Sequence, residues 1–324
     1  MYIDSSKLLN ALSRASGLAS KIVKDPKALK VLNIAMQGND ALLDDDFKDL
    51  VMYAYVNKVL LLLLLKEPKH KLIRNLRLRL LRQRDNFLMH LRHVVEILDI
   101  CRVDYVIFKT LRPVPDAPVD IDVLVESKDD AYHVISCLKR KFNVEIWDED
   151  RYSIGIRIPE FNEYVDFYVK PHVANFVYLD PEALIRNRAY LSIKEPGVEM
   201  LVPIPRPELE FCSILAHSFI KEGLVTLNDV ISLITYELLS NRNELTRWLT
   251  KLSLSVTYRE FTNALRKIFP VRIGYEVRFK VLASLLMKRY TASTLPYSVL
   301  SMSRRLSRAM EQRKKITYIR GLGR

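Results

Sequence analysis

The stretch VIFKTLRPVPDAPVDIDVLV (residues 106–125) decides the fold of this chain. Two apolar, β-rich runs flank a loop that holds three prolines in eight residues, and proline is typical of loops and strand ends. The second run opens with Asp120 and Asp122. Because residues i and i+2 of a strand project from one face, both carboxylates point to the same side. Like charges this close repel, so the pattern predicts a divalent cation with oxygen ligands, Mg²⁺ or Mn²⁺, between them.

The sequence around this stretch alternates strand and helix signals. The predicted strands cover residues 103–108, 119–125, 144–148, 152–158 and 163–169. A helix over 127–142 begins with a serine cap and two aspartates and ends in basic residues. The flanking sequence has helical periodicity. We therefore predict an α+β fold, in which a mixed-sheet core (102–205) is flanked by an N-terminal helical region (1–101) and a C-terminal helical domain with a basic tail (206–324).

A third acid, Asp166, is the lone charged residue in the predicted strand YVDFYV. Burying it among apolar and aromatic neighbours without a partner would be costly. If its strand lies beside the strand of Asp120 and Asp122, three carboxylates converge. Such a trio can hold two cations, which bridge a triphosphate and activate a hydroxyl nucleophile. Two alternatives stay open: Asp120 caps a turn after Pro118, or Asp166 forms a salt bridge with an arginine such as Arg157.

On these residues the chain resembles a known family. The opening stretch looks like the signature of the nucleotidyltransferase superfamily that has the DNA polymerase beta-type catalytic fold. It is most similar to an archaeal group of predicted nucleotidyltransferases with a Lys-(Gly/Thr)…Pro…D-[ILV]-D pattern. The resemblance covers about residues 102–170 and extends to PELEFCSILAHSFIKEG (207–223), which is similar to the helix that follows the catalytic unit. It implies an NTP substrate such as ATP and a two-metal site made by Asp120, Asp122 and Asp166.

The family usually has a Gly-Ser turn before the two aspartates, and this turn grips the phosphates of the nucleotide. Here the equivalent residues are Phe108, Lys109 and Thr110, with no glycine to ease the approach of the backbone to a phosphate. We expect the Lys109 ammonium, the Thr110 hydroxyl and the Arg112 guanidinium to contact the triphosphate instead. For Arg112 a solvated loop position is the alternative. Because this glycine is missing, the alternative of a protein that keeps the fold but has lost catalytic turnover stays open.

The net charge of +13 is concentrated in two segments. Residues 66–84 and 304–324 each contain eight Lys or Arg against one Glu, so together they carry +14 and the rest of the chain −1. Such a localised patch predicts contact with nucleic acid, RNA (a tRNA end) more than DNA. The alternative is that the first segment forms the solvated face of an amphipathic helix. The expected nucleic-acid contacts are Arg74, Arg77, Arg84, Arg304, Arg305, Arg313, Lys314 and Lys315.

Other features narrow the class of protein. The first residues lack a signal-peptide pattern, and the most apolar window, 50–65, is too short to span a bilayer, so we expect a buried helix there and no membrane partner. Three scattered cysteines without metal-type spacing indicate reduced, buried thiols in a cytoplasmic protein. The scarcity of glycine and glutamine suggests a thermophile. P-loop, dinucleotide-binding and serine-hydrolase motifs are absent from the sequence.

The weaker site candidates are His90, His93, His217, Lys221, Tyr152 and Tyr168. The first two histidines fit packing better than metal binding, because no third ligand is apparent. His217 and Lys221 either face the nucleotide or form an exposed polar stripe. The two tyrosines are candidates to stack on a base.

The sequence thus predicts a metal-dependent nucleotidyltransferase that moves an NMP from an NTP to a hydroxyl on RNA or DNA, with Mg²⁺ or Mn²⁺ as cofactor. One alternative is a catalytically inactive protein of the same fold that binds nucleic acid. Another is a scaffold whose basic tail docks on a ribonucleoprotein. A protein or small-molecule acceptor and a regulatory protein partner, such as an antitoxin-like protein, stay open.

Overall fold

A computed structural model describes residues 2–37, 45–64, 71–116, 118, 120–161, 163–173, 176–195 and 197–289. The chain has an α+β fold with a mixed sheet. The helices are α1 (Ser5–Ile22), α2 (Pro26–Gln37), α3 (Asp45–Val56), α4 (Leu60–Leu63), α5 (Lys71–Cys101), α6 (Lys128–Lys139), α7 (Pro181–Arg186), α8 (Pro207–Ala216), α9 (Leu227–Leu239), α10 (Arg242–Lys251), α11 (Ser255–Ala264) and α12 (Tyr275–Arg289), with a π-helical segment, His217–Glu222, that continues α8. The strands are β1 (Tyr2–Asp4), β2 (Tyr105–Ile107), β3 (Asp120–Val125), β4 (Glu145–Glu149), β5 (Ser153–Ile158), β6 (Glu163–Tyr168), β7 (His172–Val173), β8 (Phe176–Val177), β9 (Arg188–Glu195), β10 (Val198–Pro205), β11 (Leu224–Val225) and β12 (Val271–Arg272).

The central sheet has the strand order β2-β3-β6-β5-β4. Strands β3 and β6 are parallel, and the other neighbours are antiparallel. Alternate residues divide between the two faces of the sheet, as the strand period requires. The residues that pack with α5 and α6 on one side are Ile121, Val123, Val125, Ile154, Ile156, Ile158, Val165 and Phe167. Their neighbours in sequence, which include Asp122 and Asp166, therefore lie on the opposite face.

A second hydrophobic core covers that opposite face. It joins helices α1–α4 near the N-terminus to α7–α12, and it includes Val106, Leu124 and Tyr168 from the central sheet. Helix α5, from the first predicted region, is shared: Leu76 and Leu80 pack against this core, whereas the apolar residues from Phe87 to Leu98 pack with the sheet. The predicted boundaries near 101 and 205 stay a prediction, because the two cores combine segments that are distant in the sequence.

Several elements were not predicted from local pattern. Strand β1 pairs in parallel with β9, which also pairs with β10, to form a separate three-stranded sheet. No strand was predicted for β10; its Pro203 and Pro205 lie in the C-terminal part of an edge strand of this sheet, where proline is tolerated. Helix α10 was also missed, although the Asn241 side chain caps it by accepting from the amides of Asn243 and Glu244.

The prediction of one continuous helix over residues 50–65 is wrong. Helix α3 ends at Val56 and α4 begins at Leu60. Lys58 between them has a left-handed backbone (φ 55°). The buried Asn57 side chain accepts a hydrogen bond from the Leu227 amide (3.2 Å) at the start of α9. This tertiary contact explains the break, because leaving a buried amide without a hydrogen-bond partner costs more free energy than interrupting the helix.

The signals at helix ends have mixed outcomes. The sequence SSKLL (5–9) predicts a serine cap for the first helix, but Asp4 caps α1 by accepting from the Ser6 amide (2.7 Å), and the Ser5 hydroxyl donates to the carbonyl of Ser192 in β9. The Ser127 cap of α6 is confirmed. The glycine that closes PELEFCSILAHSFIKEG (207–223) predicts the end of a helix, and Gly223 ends the π-helical segment with φ 63°. Among the helices of the described ranges, none combines the length and apolar character needed to cross a membrane.

Candidate metal centre

Three carboxylates meet on the face of the central sheet that is opposite α5 and α6. Asp120 and Asp122 lie on β3 and Asp166 lies on β6, with Asp122 directly beside Asp166 in the parallel register. One oxygen atom from each carboxylate lies within 4.8 Å of those from the other two. The structure thus brings together the three acids that the sequence singled out. Their role as metal ligands stays a prediction.

Among the residues that the structure describes, neither alternative position for these acids is found. Asp120 is the first residue of β3 and lies beside Tyr164 of β6, so it belongs to the sheet rather than to a turn. Arg157 is exposed and lies beside Tyr164 and Glu145, whereas Asp166 lies beside Gly155. The third acid is therefore directed to the other two carboxylates.

The cluster is electrostatically strained. Burial, followed by the negative charges of Asp122 and Asp120, raises the pKa of Asp166 to about 6. Burial and the Asp122 charge also raise the pKa of Asp120. Both shifts arise because carboxylates that share a small, partly buried volume resist ionisation together. An added positive charge at this point would relieve the strain.

One positive charge comes from Lys109. Its Nζ lies 3.0 Å from Oδ1 of Asp122, and both side chains are buried. Burial alone would lower the pKa of Lys109, but the Asp122 carboxylate raises it well above the usual value. The Lys109 ammonium therefore compensates one of the three carboxylates in the protein itself.

The backbone of Lys109 has the conformation that glycine usually supplies. Its φ is 54°, in the left-handed region that non-glycine residues rarely adopt. Its amide donates a 2.6 Å hydrogen bond to Oε1 of Glu210, a buried residue of α8. This contact holds the turn in place. A strained residue beside a charged cluster is typical of functional sites.

Thr110 and Arg112 also lie beside the cluster, but their side chains are engaged within the protein. The Thr110 hydroxyl accepts a 2.8 Å hydrogen bond from the Asp122 amide and so fixes the position of β3. The Arg112 guanidinium forms a buried ion pair with Asp229 at the start of α9. Burial alone would lower the pKa of Arg112, but the Asp229 carboxylate raises it above its usual value. Triphosphate contacts by Lys109, Thr110 and Arg112 stay a prediction.

The π-helical segment contributes His217 and Lys221. Lys221 Nζ donates a 3.3 Å hydrogen bond to the Tyr168 hydroxyl. Burial, then the positive charge of Lys109, lowers the pKa of Lys221, and burial lowers that of His217 well below its usual value. The interpretation of these two residues as an exposed stripe is wrong, because both are partly buried. Lys221 is close enough to Asp166 to affect its ionisation.

An aromatic surface that the sequence did not reveal borders the carboxylates. A Cβ atom placed on Gly155 would lie 2.6 Å from Nε1 of Trp147 and 3.0 Å from Oδ1 of Asp166. The Trp147 ring packs edge-on against Tyr164 at 5.3 Å, and both side chains are exposed (56% and 39%). Glycine at 155 thus leaves room for an exposed indole directly beside the third acid. The sequence places Trp147 and Tyr164 in predicted strands, but it does not give the register between the strands. Only that register shows that the Trp147 ring lies beside Asp166.

The remaining candidates lie elsewhere. His90 stacks on Phe161 at 4.3 Å and His93 at 6.0 Å, so the packing interpretation is confirmed. Tyr168 is buried beside the cluster, whereas the ring of Tyr152 packs against His172. On α5, Arg84 pairs with Glu195 and Arg77 donates to the Leu64 carbonyl, while Arg74 is exposed. The candidates outside the described residues are Arg304, Arg305, Arg313, Lys314 and Lys315.

Glu210 gives a pH-dependent prediction. Burial raises its pKa to about 8, against the opposing effects of the Lys109 amide and the Arg112 charge. A carboxyl group whose pKa is raised on folding stabilises the folded state at pH values below its unfolded-state pKa. This contribution is lost as the pH rises through the folded-state pKa, so the free energy of unfolding should fall between about pH 5 and pH 8. Glu210→Gln should remove a decline on the order of 3–5 kcal/mol, measured by urea unfolding at both pH values. The exposed Glu199→Gln is the control, and a Glu210→Gln profile parallel to wild type contradicts the assignment.

Comparison with known proteins adds no family assignment. No protein-family model matches the chain. A search of the curated proteins gives no significant match. The function therefore has to be argued from the site itself.

Proposed function

We propose that this protein is a metal-dependent nucleotidyltransferase that transfers a nucleoside monophosphate from an NTP to a hydroxyl group. The observation that supports the proposal is the convergence of Asp120, Asp122 and Asp166 from two parallel strands of a mixed sheet. A two-metal site made by these three acids is what the resemblance of residues 102–170 implies.

The residues present fit a divalent cation. All three donors are hard carboxylate oxygens, which Mg²⁺ and Mn²⁺ prefer. The raised pKa values of Asp120 and Asp166 indicate that the site has too few positive charges for three ionised acids. When bound, the metal ions would neutralise charge on the triphosphate and on the attacking oxygen.

The reaction balances with groups that the chain supplies. The acceptor oxygen forms a bond to the α-phosphorus, the bond to the bridging oxygen of the β-phosphate breaks, and pyrophosphate leaves. The proton of the acceptor hydroxyl passes to Asp166, the third carboxylate of the cluster, which acts as the general base. Lys221 lies on the same side and adds positive charge near the leaving phosphates.

A nucleic acid is the favoured acceptor. The exposed rings of Trp147 and Tyr164 lie beside Asp166, where a terminal base can stack next to the attacking hydroxyl. The two basic segments, 66–84 and 304–324, supply charge for the phosphate backbone. RNA is favoured over DNA, and the cytoplasm, where triphosphates and reduced thiols coexist, is the proposed compartment.

Incorporation of label tests the proposal. The full chain is incubated with each α-labelled NTP, Mn²⁺ and total RNA, and labelled species are resolved on a gel. We expect label in the wild-type reaction and a loss of at least about 1,000-fold in Asp122→Asn, since metal-ligand carboxylates supply several kcal/mol to the transition state. Asp148→Asn, an exposed residue of the same sheet, is the matched control. Label in neither the wild-type nor the control reaction, with any NTP, contradicts the proposal.

The Lys109–Asp122 ion pair supports a second candidate, a non-catalytic protein of this fold that binds nucleic acid. With its ammonium 3.0 Å from Oδ1 of Asp122, Lys109 occupies a position that a cation would share. In that case RNA binding should be salt-sensitive and unchanged by Mn²⁺ or by Asp122→Asn. Incorporation of label by the wild-type protein excludes this candidate.

A further inference from the structure

A second cluster of metal-ligating side chains lies at the junction of α5 and α6, on the other side of the central sheet. It consists of Cys101, the last residue of α5, with His133 and Cys137 of α6. The two sulfur atoms and one imidazole nitrogen all lie within 4.8 Å of one another. The sequence interpretation of all three cysteines as buried thiols is correct only for Cys212, because Cys101 and Cys137 are partly exposed.

The geometry suits a tetrahedral ion. His133 and Cys137 are four residues apart, so both side chains lie on one face of α6, one turn from each other. Around Zn²⁺, with bonds of about 2.3 Å to sulfur and 2.0 Å to nitrogen, ligand atoms lie roughly 3.5–3.8 Å apart. Side-chain rotations that shift the atoms by about an ångström close the cluster around such an ion.

The chemistry of the donors selects the ion. Two thiolates and an imidazole prefer a thiophilic cation and discriminate against Mg²⁺. Two thiolates also neutralise Zn²⁺, so the bound site adds no net charge at this partly buried junction. In the structure neither Cys101 nor Cys137 forms a disulfide. Because Zn²⁺ binds thiolates and not thiols, metal binding at these cysteines should release protons.

We propose that Cys101, His133 and Cys137 form a Zn²⁺ site that ties the end of α5 to α6 and keeps a fourth coordination position open to solvent. Three protein ligands leave one tetrahedral position for water or an external ligand. His133 is exposed, so the ion can enter from solvent. The site lies on the opposite face of the sheet from the three aspartates, and it does not depend on the proposed transferase activity.

The test uses the full chain with Co²⁺ and Zn²⁺ in excess Mg²⁺, which competes for carboxylate but not for thiolate ligands. We expect one Zn²⁺ per chain and a thiolate-to-cobalt charge-transfer absorption. Removing a residue that only orients a metal ligand typically lowers the metal affinity about 10–100-fold. Cys101 and Cys137 are proposed as direct ligands, so Cys101→Ser or Cys137→Ser should weaken Zn²⁺ binding by at least about 100-fold. Cys212→Ala, which removes the thiol outside the cluster, should bind as wild type.

A measurement on the unmodified protein guards against variants that fail to fold. Zn²⁺ should protect Cys101 and Cys137 from alkylation, as mapped by peptide mass spectrometry, and a chelator should remove the protection. The proposal is overturned by unchanged alkylation with Zn²⁺, by the absence of a thiolate absorption with Co²⁺, or by a disulfide between Cys101 and Cys137 in the protein purified under non-reducing conditions.

Discussion

Asp166→Asn should abolish nucleotidyl transfer and at the same time stabilise the metal-free protein. Transfer should fall by at least about 1,000-fold, because the variant loses both a metal ligand and the proposed base. Stability at pH 7.5 should rise by roughly 1–3 kcal/mol, since the ionised form of Asp166 is the one that burial and two neighbouring carboxylates disfavour. Label incorporation and urea unfolding in EDTA measure the two effects.

The pH dependence of this stabilisation identifies its cause. A carboxyl whose pKa rises from 3.8 to about 6 on folding destabilises the protein as pH rises through that interval, and the full cost is present above pH 6. The gain in Asp166→Asn should therefore be found at pH 7.5 and be absent near pH 4. Asp148→Asn, on the exposed edge strand, should change neither activity nor stability. An Asp166→Asn protein that is less stable than wild type at pH 7.5 would show that the hydrogen bond from the Tyr168 hydroxyl to Oδ2 of Asp166 (3.5 Å) outweighs this cost.

A residue that lowers stability for the sake of activity conflicts with its local sequence, and this conflict made part of the site recognisable. Asp120, Asp122 and Asp166 were recognisable because a charged residue within an apolar strand contradicts the local pattern. The strand period then fixed the face to which each acid points, and the parallel register of β3 with β6 brought the faces together. Five strands and the capped helix α6 followed from equally local signals.

The parts that the sequence could not reveal depend on distant partners. Glu210 holds the turn at Lys109 from 101 residues away, and the Asn57 side chain that interrupts the apolar run binds an amide 170 residues away. No local pattern encodes such pairs, since tertiary hydrogen bonds override propensity. The same reason applies to Arg112: its charge suggested a phosphate contact, but its partner in the structure is Asp229, 117 residues along the chain.

Asp229→Ala should therefore be among the most destabilising single changes in the protein. Burial alone would raise the pKa of Asp229, but the Arg112 guanidinium and the hydrogen bonds from Thr226 lower it overall. Removing the carboxylate leaves a buried guanidinium without its ion-pair partner, which costs about 3–5 kcal/mol. It also removes the capping box of α9, which adds about 1 kcal/mol. Urea or thermal unfolding at neutral pH measures the sum.

Asp130→Ala is the matched control, because Asp130 occupies the same position in the cap of α6, where it accepts from the Ser127 hydroxyl. Its loss should cost only about 1 kcal/mol. Replacing both Arg112 and Asp229 with leucine should be less damaging than Asp229→Ala, since no unpaired charge is left buried. If Asp229→Ala costs no more than Asp130→Ala, Arg112 does not depend on Asp229. Its guanidinium would then be available for the triphosphate, as the sequence first suggested.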